Sequence, residues 1–317
     1  MTAETFSSLL SMIIVLFLLL ATGFIARKIG IIDDVSSKRL SKLIVYIGHP
    51  MMIINALMKM KYSAENTKEG LIVLAAGFAS LLFFALFARF AAKVVKDFDE
   101  RKITEYALIF ANAGFLGFPI YRSLFGDTGE FWGAFYNVSF SFLCWTLGLS
   151  IITRGEKKEK FNPKKVFLNV GTMACAIGIG IYFLTALVDI PKSVIDYTGY
   201  LSGLCTPITT LIVGALIATR TPKQLFLDKK IYFLSFCKLI VLPLLVCVIA
   251  KLIGLSDDMI LFLTAAAALP SATNVTMFAE LYDVAQGYAA QAVGVTSLFT
   301  VATLPAVMYV ADLVVKL

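Results

Sequence analysis

The sequence predicts an all-α polytopic membrane protein with ten transmembrane helices, arranged as two inverted five-helix repeats. Of its 317 residues, 59% are hydrophobic and only 15% are charged. A soluble domain has about 45–50% apolar and about 25% charged residues. So few charges cannot cover a water-exposed surface, and lipid is the solvent that suits this composition. The other two observations are the alternating charge of the connections and one interrupted helix in each half.

Ten apolar stretches follow one another with short connections, and each is long enough to cross a bilayer. The predicted spans are residues 8–25, 40–58, 71–92, 103–124, 131–153, 166–188, 197–219, 231–253, 259–281 and 288–315. The first stretch is interpreted as a span and not as a cleaved signal, because no basic segment precedes it. The predicted organisation is a first repeat at 1–153, a cytoplasmic linker at 154–165 and a second repeat at 166–317.

The basic residues predict the orientation of the spans. Of the 28 Lys and Arg residues, 20 lie in odd-numbered connections or at the adjacent span borders, seven lie at even-numbered connections or the termini, and Lys238 lies deeper within a span. Cytoplasmic loops carry the excess of Lys and Arg. We therefore expect a multi-pass inner (plasma) membrane protein with both termini extracytoplasmic. The net charge of +7 follows this topology, so a nucleic-acid partner is not predicted.

Corresponding irregularities in the two halves predict an internal repeat. Spans two and seven each carry a central proline, Pro50 and Pro207, and spans four and nine are interrupted at 112–119 and 269–274. With five spans in each half, the second half must be inverted relative to the first. Gly and Pro are frequent in membrane helices generally. Inverted repeats with one interrupted helix in each half nevertheless favour a transporter with a binding site near the bilayer midplane.

The interruptions are the predicted binding site. Backbone groups freed by a broken helix are tolerated in a membrane only where they line a cavity or are buried in protein, and helix N-termini there attract anions. An anionic or polar solute would suit the donors at this position, whereas interhelical hydrogen bonding is the alternative. The candidate substrate-binding residues are Asn112, Gly114, Asn137, Pro270, Ser271, Thr273 and Asn274.

Three ionisable residues within or beside spans are further candidates. Lys238 could neutralise a substrate carboxylate or act as a switchable charge, or its side chain could extend to the cytoplasmic interface. His49 could carry a coupling proton, or hydrogen-bond as a neutral ring to a carbonyl freed by Pro50. Arg122 could attract anions into an outer vestibule, or serve as an interfacial anchor. His49 and Arg122 are therefore coupling or gating candidates.

Catalytic and metal-binding motifs are missing from the sequence. The five cysteines lie in apolar runs without CxxC spacing, and the single histidine is not part of an HExxH pattern. An enzyme is therefore not predicted, and no cofactor is expected beyond a coupling ion, Na+ or H+. A channel would favour rings of like residues, whereas inverted repeats favour alternating access.

At the two interruptions the sequence resembles the auxin efflux carrier family, which includes bacterial permeases for malate, malonate and related organic acids. The resemblance covers essentially the whole chain. Its most specific residues are Asn112, Gly117, Phe118, Pro119 and Ile120 in span four, and Ala268, Leu269, Pro270, Phe278, Ala279 and Tyr282 in span nine.

The resemblance implies a fold related to the sodium/bile-acid symporters, in which spans four and nine cross at their breaks. It further implies a scaffold of spans one, two, six and seven, a transport domain of spans three to five and eight to ten, and elevator-type movement. A homodimer through the scaffold is implied in the same way. The predicted function is secondary transport of a small organic anion such as malate, malonate or an auxin-like carboxylate. The alternatives are a sodium-coupled bile-acid-type symporter or an anion channel.

Overall fold

The computed structural model describes residues 2–155, 168–221, 223, 225 and 227–317. Most of the predicted linker at 154–165, and the first two residues of the predicted sixth span, lie outside the described residues. Within the described part, the backbone is helical apart from short connections, and its strand-like pairing is a single antiparallel bridge between Ala111 and Ser271. The predicted all-α class is confirmed.

The first half contains seven α-helices. They are α1 (Ala3–Lys28), α2 (Asp34–Leu43), α3 (His49–Lys59), α4 (Ala64–Ala91), α5 (Phe98–Ile109), α6 (Gly117–Leu143) and α7 (Leu149–Ile152). The described second half contains α8 (Val170–Leu184), α9 (Lys192–Gly203), α10 (Cys205–Ala218), α11 (Lys229–Phe236), α12 (Leu242–Leu252), α13 (Asp257–Ala268), α14 (Asn274–Leu281) and α15 (Gln286–Lys316). Wider π-helical turns join α2 to α3, α6 to α7 and α11 to α12.

Polar residues mark where many of the helices begin. A side-chain oxygen that accepts from a first-turn N–H satisfies a donor that the helix itself leaves unpaired. Before α2, Asp33 and Ser36 form a reciprocal capping box, and the hydrogen bonds from Ser36 lower the pKa of Asp33. The other side-chain caps include Thr2, Ser63, Asp97, Asn169 and Asp228.

Seven helical stretches among the described residues are long and apolar enough to cross a membrane. They are Glu4–Lys28, Asp34–Lys59, Ala64–Val94, Gly117–Ile152, Lys192–Ala218, Lys229–Leu252 and Gln286–Lys316. A multi-pass membrane protein is thereby confirmed, whereas the ten-span arrangement stays a prediction.

Predicted spans four, six and nine have no separate stretch of this length, and the structure shows why. Spans four and nine are interrupted, so neither half is long enough by itself. At Gly126 the backbone has a φ of 62° and leaves the helical region within α6. This residue separates the end of predicted span four from span five. The described part of span six is α8, which has 15 residues.

Ion pairs lie on the two sides of the predicted spans. On the side of the odd-numbered connections, Lys38 pairs with Glu280 at the end of span nine, Arg154 with Glu105 at the start of span four, and Lys230 with Glu100. Even-numbered connections are linked by Lys59 to Glu130 at 3.6 Å and Lys61 to Asp189 at 3.0 Å. Glu105 is buried, and its two hydrogen bonds raise the pKa of Arg154. These links agree with the predicted alternation of the connections between two faces.

The backbones of α1 and α10 touch at two glycines. A Cβ atom added to Gly23 would lie 2.1 Å from the carbonyl oxygen of Leu211, and one added to Gly214 would lie 2.0 Å from that of Leu20. In a membrane, small residues at an interface allow this close approach and the dispersion contacts that hold helices together. The first helix is thereby fixed to a helix of the second half.

The two interrupted helices occupy the centre of the protein. Every residue of 102–118 and of 259–272 is buried. In contrast, much of the outer surface of α1 is apolar and exposed, as expected for a helix that faces lipid. We call residues 110–116, between α5 and α6, the first break, and residues 269–273, between α13 and α14, the second break.

Candidate functional site

The two breaks are joined directly through their backbones. The N–H of Asn112 donates to the carbonyl of Pro270 at 2.8 Å, and the N–H of Ala272 donates to the carbonyl of Phe110 at 2.9 Å. Backbone groups released from a helix need partners in an apolar interior. Here each break supplies the partners that the other needs, and both lie at one place in the core.

Hydrogen bonds to three helices hold the breaks in position. The N–H of Ser271 donates to the Thr296 hydroxyl of α15 at 3.1 Å, and the Ser271 hydroxyl donates to the carbonyl of Ala107 in α5 at 3.2 Å. The Thr206 hydroxyl of α10 donates to the carbonyl of Phe115 at 3.2 Å. Ser271, predicted as a solute ligand, therefore has its hydroxyl engaged with the end of α5.

Two amide side chains near the first break have unpartnered atoms. Asn112 is 3% exposed and Asn137 is 0% exposed. The Nδ2 of Asn112 and both amide atoms of Asn137 have no hydrogen-bond partner among the described residues. An unsatisfied buried polar group costs about 1–3 kcal/mol, and such groups in a native protein call for an explanation. They are available to a bound solute.

Lys238 lies in the π-helical turn between α11 and α12 and is fully buried. Its ammonium donates to the carbonyl of Leu108 at 3.2 Å and lies 5.6 Å from the ring centroid of Phe84. Among the described residues, no carboxylate oxygen lies within 4.0 Å of the Lys238 nitrogen, the distance that defines an ion pair. Because Leu108 is in the last turn of α5, Lys238 faces the negative end of that helix. It does not extend to the interface.

His49, Gly114 and Asn137 lie together beside the first break. The His49 ring packs against Phe115, with ring centroids 5.1 Å apart. A Cβ atom added to Gly114 would lie 2.9 Å from Nε2 of His49 and 3.7 Å from Nδ2 of Asn137. Three residues singled out from separate parts of the sequence are thus neighbours, and the absence of a side chain at position 114 makes this packing feasible.

Gly114→Ala is expected to impair solute binding, because the new methyl group displaces the His49 ring and with it the first break. The expected loss of stability is about 1 kcal/mol, since one side chain has to move. Binding and thermal stability of the purified variant check this. The double variant Gly114→Ala, His49→Ala should recover stability if the clash is the cause. Unchanged binding in Gly114→Ala would contradict the placement of the site.

The other predicted residues have different surroundings. Arg122 is 57% exposed and pairs with Glu130 at 3.3 Å, at the side of the even-numbered connections. Thr273 immediately precedes α14, and Asn274 opens it. The Asn274 amide is 3.9 Å from Sγ of Cys144. The structure therefore does not bring Arg122 to the breaks.

A buried pair that the sequence did not reveal lies beside the second break. The hydroxyl of Tyr106 and Sγ of Cys144 are 3.1 Å apart. The two residues are 38 positions apart in sequence, and Cys144 lies in an apolar run like the other four cysteines. No local signal distinguishes it.

A cavity of about 30 Å³ adjoins both breaks, enough for one or two water molecules. It includes Leu116 of the first break and Pro270 of the second. Its other walls come from α1, α6, α10 and α15 and are apolar except for hydroxyls. Those hydroxyls belong to Thr210, Ser297 and Thr300.

Two paired breaks with unpartnered amides, in the core of a multi-pass helical protein, are typical of the membrane transporter class. The chain belongs to the membrane transport protein family, whose model matches residues 8–174 and 165–308. This is the auxin efflux carrier family that the sequence resembles, and that prediction is confirmed. Membership indicates a transporter and not an enzyme, with a small-molecule substrate and a lipid bilayer as its surroundings.

Similar proteins are transporters by description. An uncharacterized transporter of Methanocaldococcus jannaschii is 23% identical over 297 residues, which are 92% of this chain and 95% of that protein. An uncharacterized transporter of Methanothermobacter thermautotrophicus is 22% identical over 294 residues, 90% of this chain and 93% of that protein. A candidate malonate transporter of Rhizobium meliloti is 24% identical over 282 residues, 85% of each chain.

Proposed function

We propose that this protein is a secondary active transporter of a small organic anion such as malate, malonate or an auxin-like carboxylate. It is placed in the inner (plasma) membrane with both termini extracytoplasmic, and Na+ or H+ is its coupling ion. One observation carries the proposal: the paired breaks lie in the buried core and have the unpartnered amide of Asn112 within them.

The charge at the breaks favours an anion. Asn112 and Asn137 each offer unpartnered amide donors. The α6 helix begins at Gly117 and α14 begins at Asn274, directly after the two breaks, and helix N-termini carry partial positive charge. The buried amine of Lys238 adds a further hydrogen-bond donor close to the first break, without a carboxylate partner among the described residues. A carboxylate matches this excess of donors, and the description of the Rhizobium meliloti relative gives additional support.

The proposed mechanism is an elevator-like movement. In it, spans four and nine cross at the breaks, and the two halves are inverted repeats. The tight contact between α1 and α10 supports a scaffold that includes spans one and seven. The backbone bonds between the breaks support their movement as one unit. A homodimer formed through the scaffold is part of the proposal.

A ligand screen tests the substrate class. Purified protein is assayed for thermal stability with malonate, malate and indole acids, with and without Na+, across about pH 5–8. A ligand that binds the folded state at 100 times its Kd stabilises it by about 2.7 kcal/mol. We expect a carboxylate-dependent increase, whose dependence on Na+ or on pH identifies the coupling ion. Stabilisation by neutral or cationic solutes, with none by carboxylates, would contradict an organic anion as substrate.

A further inference from the structure

A second, larger cavity lies away from the breaks. Its volume is about 590 Å³, within the range of small-molecule sites. Its walls come from the first turns of α5, α11 and α15 and from the connection between α10 and α11, at the face where odd-numbered connections meet. It is lined by Glu100, Arg220, Lys223, Leu227, Asp228, Lys230, Gly287, Tyr288 and Gln291.

The charges of this cavity do not balance. Lys230 pairs with both of its carboxylates, with Glu100 and, at 3.4 Å, with Asp228. The Arg220 guanidinium forms no ion pair with a described residue, and its Nε is buried without a hydrogen-bond partner. Lys223 is exposed and adds a further positive charge at the cavity. The cavity therefore has an excess of positive charge. Of the two cations that contribute this excess, Arg220 and Lys223, Arg220 is the less exposed.

Arg220 also faces the positive end of a helix. A Cβ atom added to Gly287 would lie 3.2 Å from Nη1 and 3.3 Å from Nη2 of Arg220. Gly287 is the second residue of α15, a helix of 31 residues whose preceding residue, Ala285, provides no side-chain cap. The nearby Asp283 accepts from the side chain of Gln286 and does not line the cavity. A guanidinium and uncapped N–H groups thus adjoin the same space, and both attract an anion.

We propose that this cavity binds a phosphate group, carried either by the headgroup of an anionic phospholipid or by a small soluble phosphate compound. Several donors approaching from different directions suit an anion with more acceptor oxygens than a carboxylate has. The guanidinium fork of Arg220 supplies two of them, the start of α15 supplies backbone N–H groups, and Lys223 supplies an ammonium. The cavity also lies at the ends of membrane helices, and basic pockets between such helices bind phospholipid headgroups.

The bound phosphate would connect two parts of the molecule. Arg220 follows α10, and Gly287 belongs to α15, whose Thr296 supports the second break. Phosphate bound between Arg220 and Gly287 would therefore link the end of α10 to the helix that supports the second break. The binding itself does not depend on the proposed transport function, so each can fail without the other.

The test measures thermal stability of the protein in two arms. One arm titrates inorganic phosphate against chloride at constant ionic strength, and the other compares nanodiscs of phosphatidylglycerol with nanodiscs of phosphatidylcholine. We expect stabilisation in at least one arm. A response to phosphatidylglycerol alone identifies a lipid headgroup, and a response to inorganic phosphate identifies a soluble ligand. No response in either arm overturns the proposal.

Variants test the location of the site. Arg220→Gln is expected to weaken binding about tenfold or more, because the two charge-assisted hydrogen bonds of the guanidinium fork are lost. Gly287→Ala should weaken it similarly, because its methyl group fills the space beside the guanidinium. Arg39→Gln, at an exposed arginine of α2 outside the cavity, is the charge-matched control and should bind as the wild type does. Equal effects of Arg220→Gln and Arg39→Gln would overturn the proposal, and Gly287→Ala decides if Arg220→Gln does not fold.

Discussion

Asn112→Ala is expected to weaken the binding of a carboxylate sharply while the protein remains as stable as the wild type. The Nδ2 atom that the substitution removes has no partner in the folded protein. The backbone bond from Asn112 to Pro270 does not depend on the side chain. A hydrogen bond to a charged group contributes about 1.5–3 kcal/mol, so the affinity should fall roughly 10- to 150-fold. Isothermal titration or proteoliposome uptake measures the loss.

Asn55→Ala is the matched control with the opposite expectation. Asn55 is also a buried asparagine, but its amide donates to the Ile195 carbonyl and to the Thr198 hydroxyl, both at 2.8 Å. Its removal should lower the free energy of unfolding by about 1–3 kcal/mol and leave the affinity of the folded fraction unchanged. If Asn112→Ala keeps the wild-type affinity, the site lies elsewhere.

Gly214→Ala is expected to cause the largest loss of stability. The added Cβ would lie 2.0 Å from the Leu20 carbonyl oxygen, and neither group can rotate away because both belong to helix backbones. The α1 and α10 helices must therefore separate, which gives up contacts along both of them. We expect a cost of about 3 kcal/mol or more. The thermal midpoint of the variant in detergent measures it.

Gly180→Ala controls for the change of residue type. Gly180 lies within α8, and a Cβ atom there meets nothing within 4 Å. Alanine is favoured over glycine in a helix by about 1 kcal/mol, so this variant should be as stable as the wild type or slightly more so. A Gly214→Ala variant with the wild-type midpoint would show that the helices are not in backbone contact.

The parts of the fold that the sequence predicted depend on local signals. Hydropathy identifies apolar helices, and Gly and Pro identify where they end, so both breaks were found at Asn112 and Pro270. The bridge from Ala111 to Ser271 depends on two residues 160 positions apart. A single sequence holds no signal for such a pairing, and the pairing decides where the polar groups meet.

The role of individual side chains was less predictable for the same reason. Lys238 stood out as a buried charge, yet its partner is the backbone carbonyl of Leu108, and every residue carries such a carbonyl. Gly23 and Gly214 are two of 21 glycines, and only the structure shows that these two meet another backbone. Arg122, which the sequence places in an outer vestibule or at the interface, is exposed and pairs with Glu130.

The bridge between the breaks also constrains how the protein is made. The carbonyl of Phe110 and the N–H of Asn112 take their partners from residues near Ser271, which the ribosome adds about 160 residues later. Until then these groups cannot face hydrocarbon without a large cost. The newly inserted first half must therefore keep them in contact with water or with the insertion machinery. Final packing of its core then occurs only after the ninth predicted span has entered the membrane.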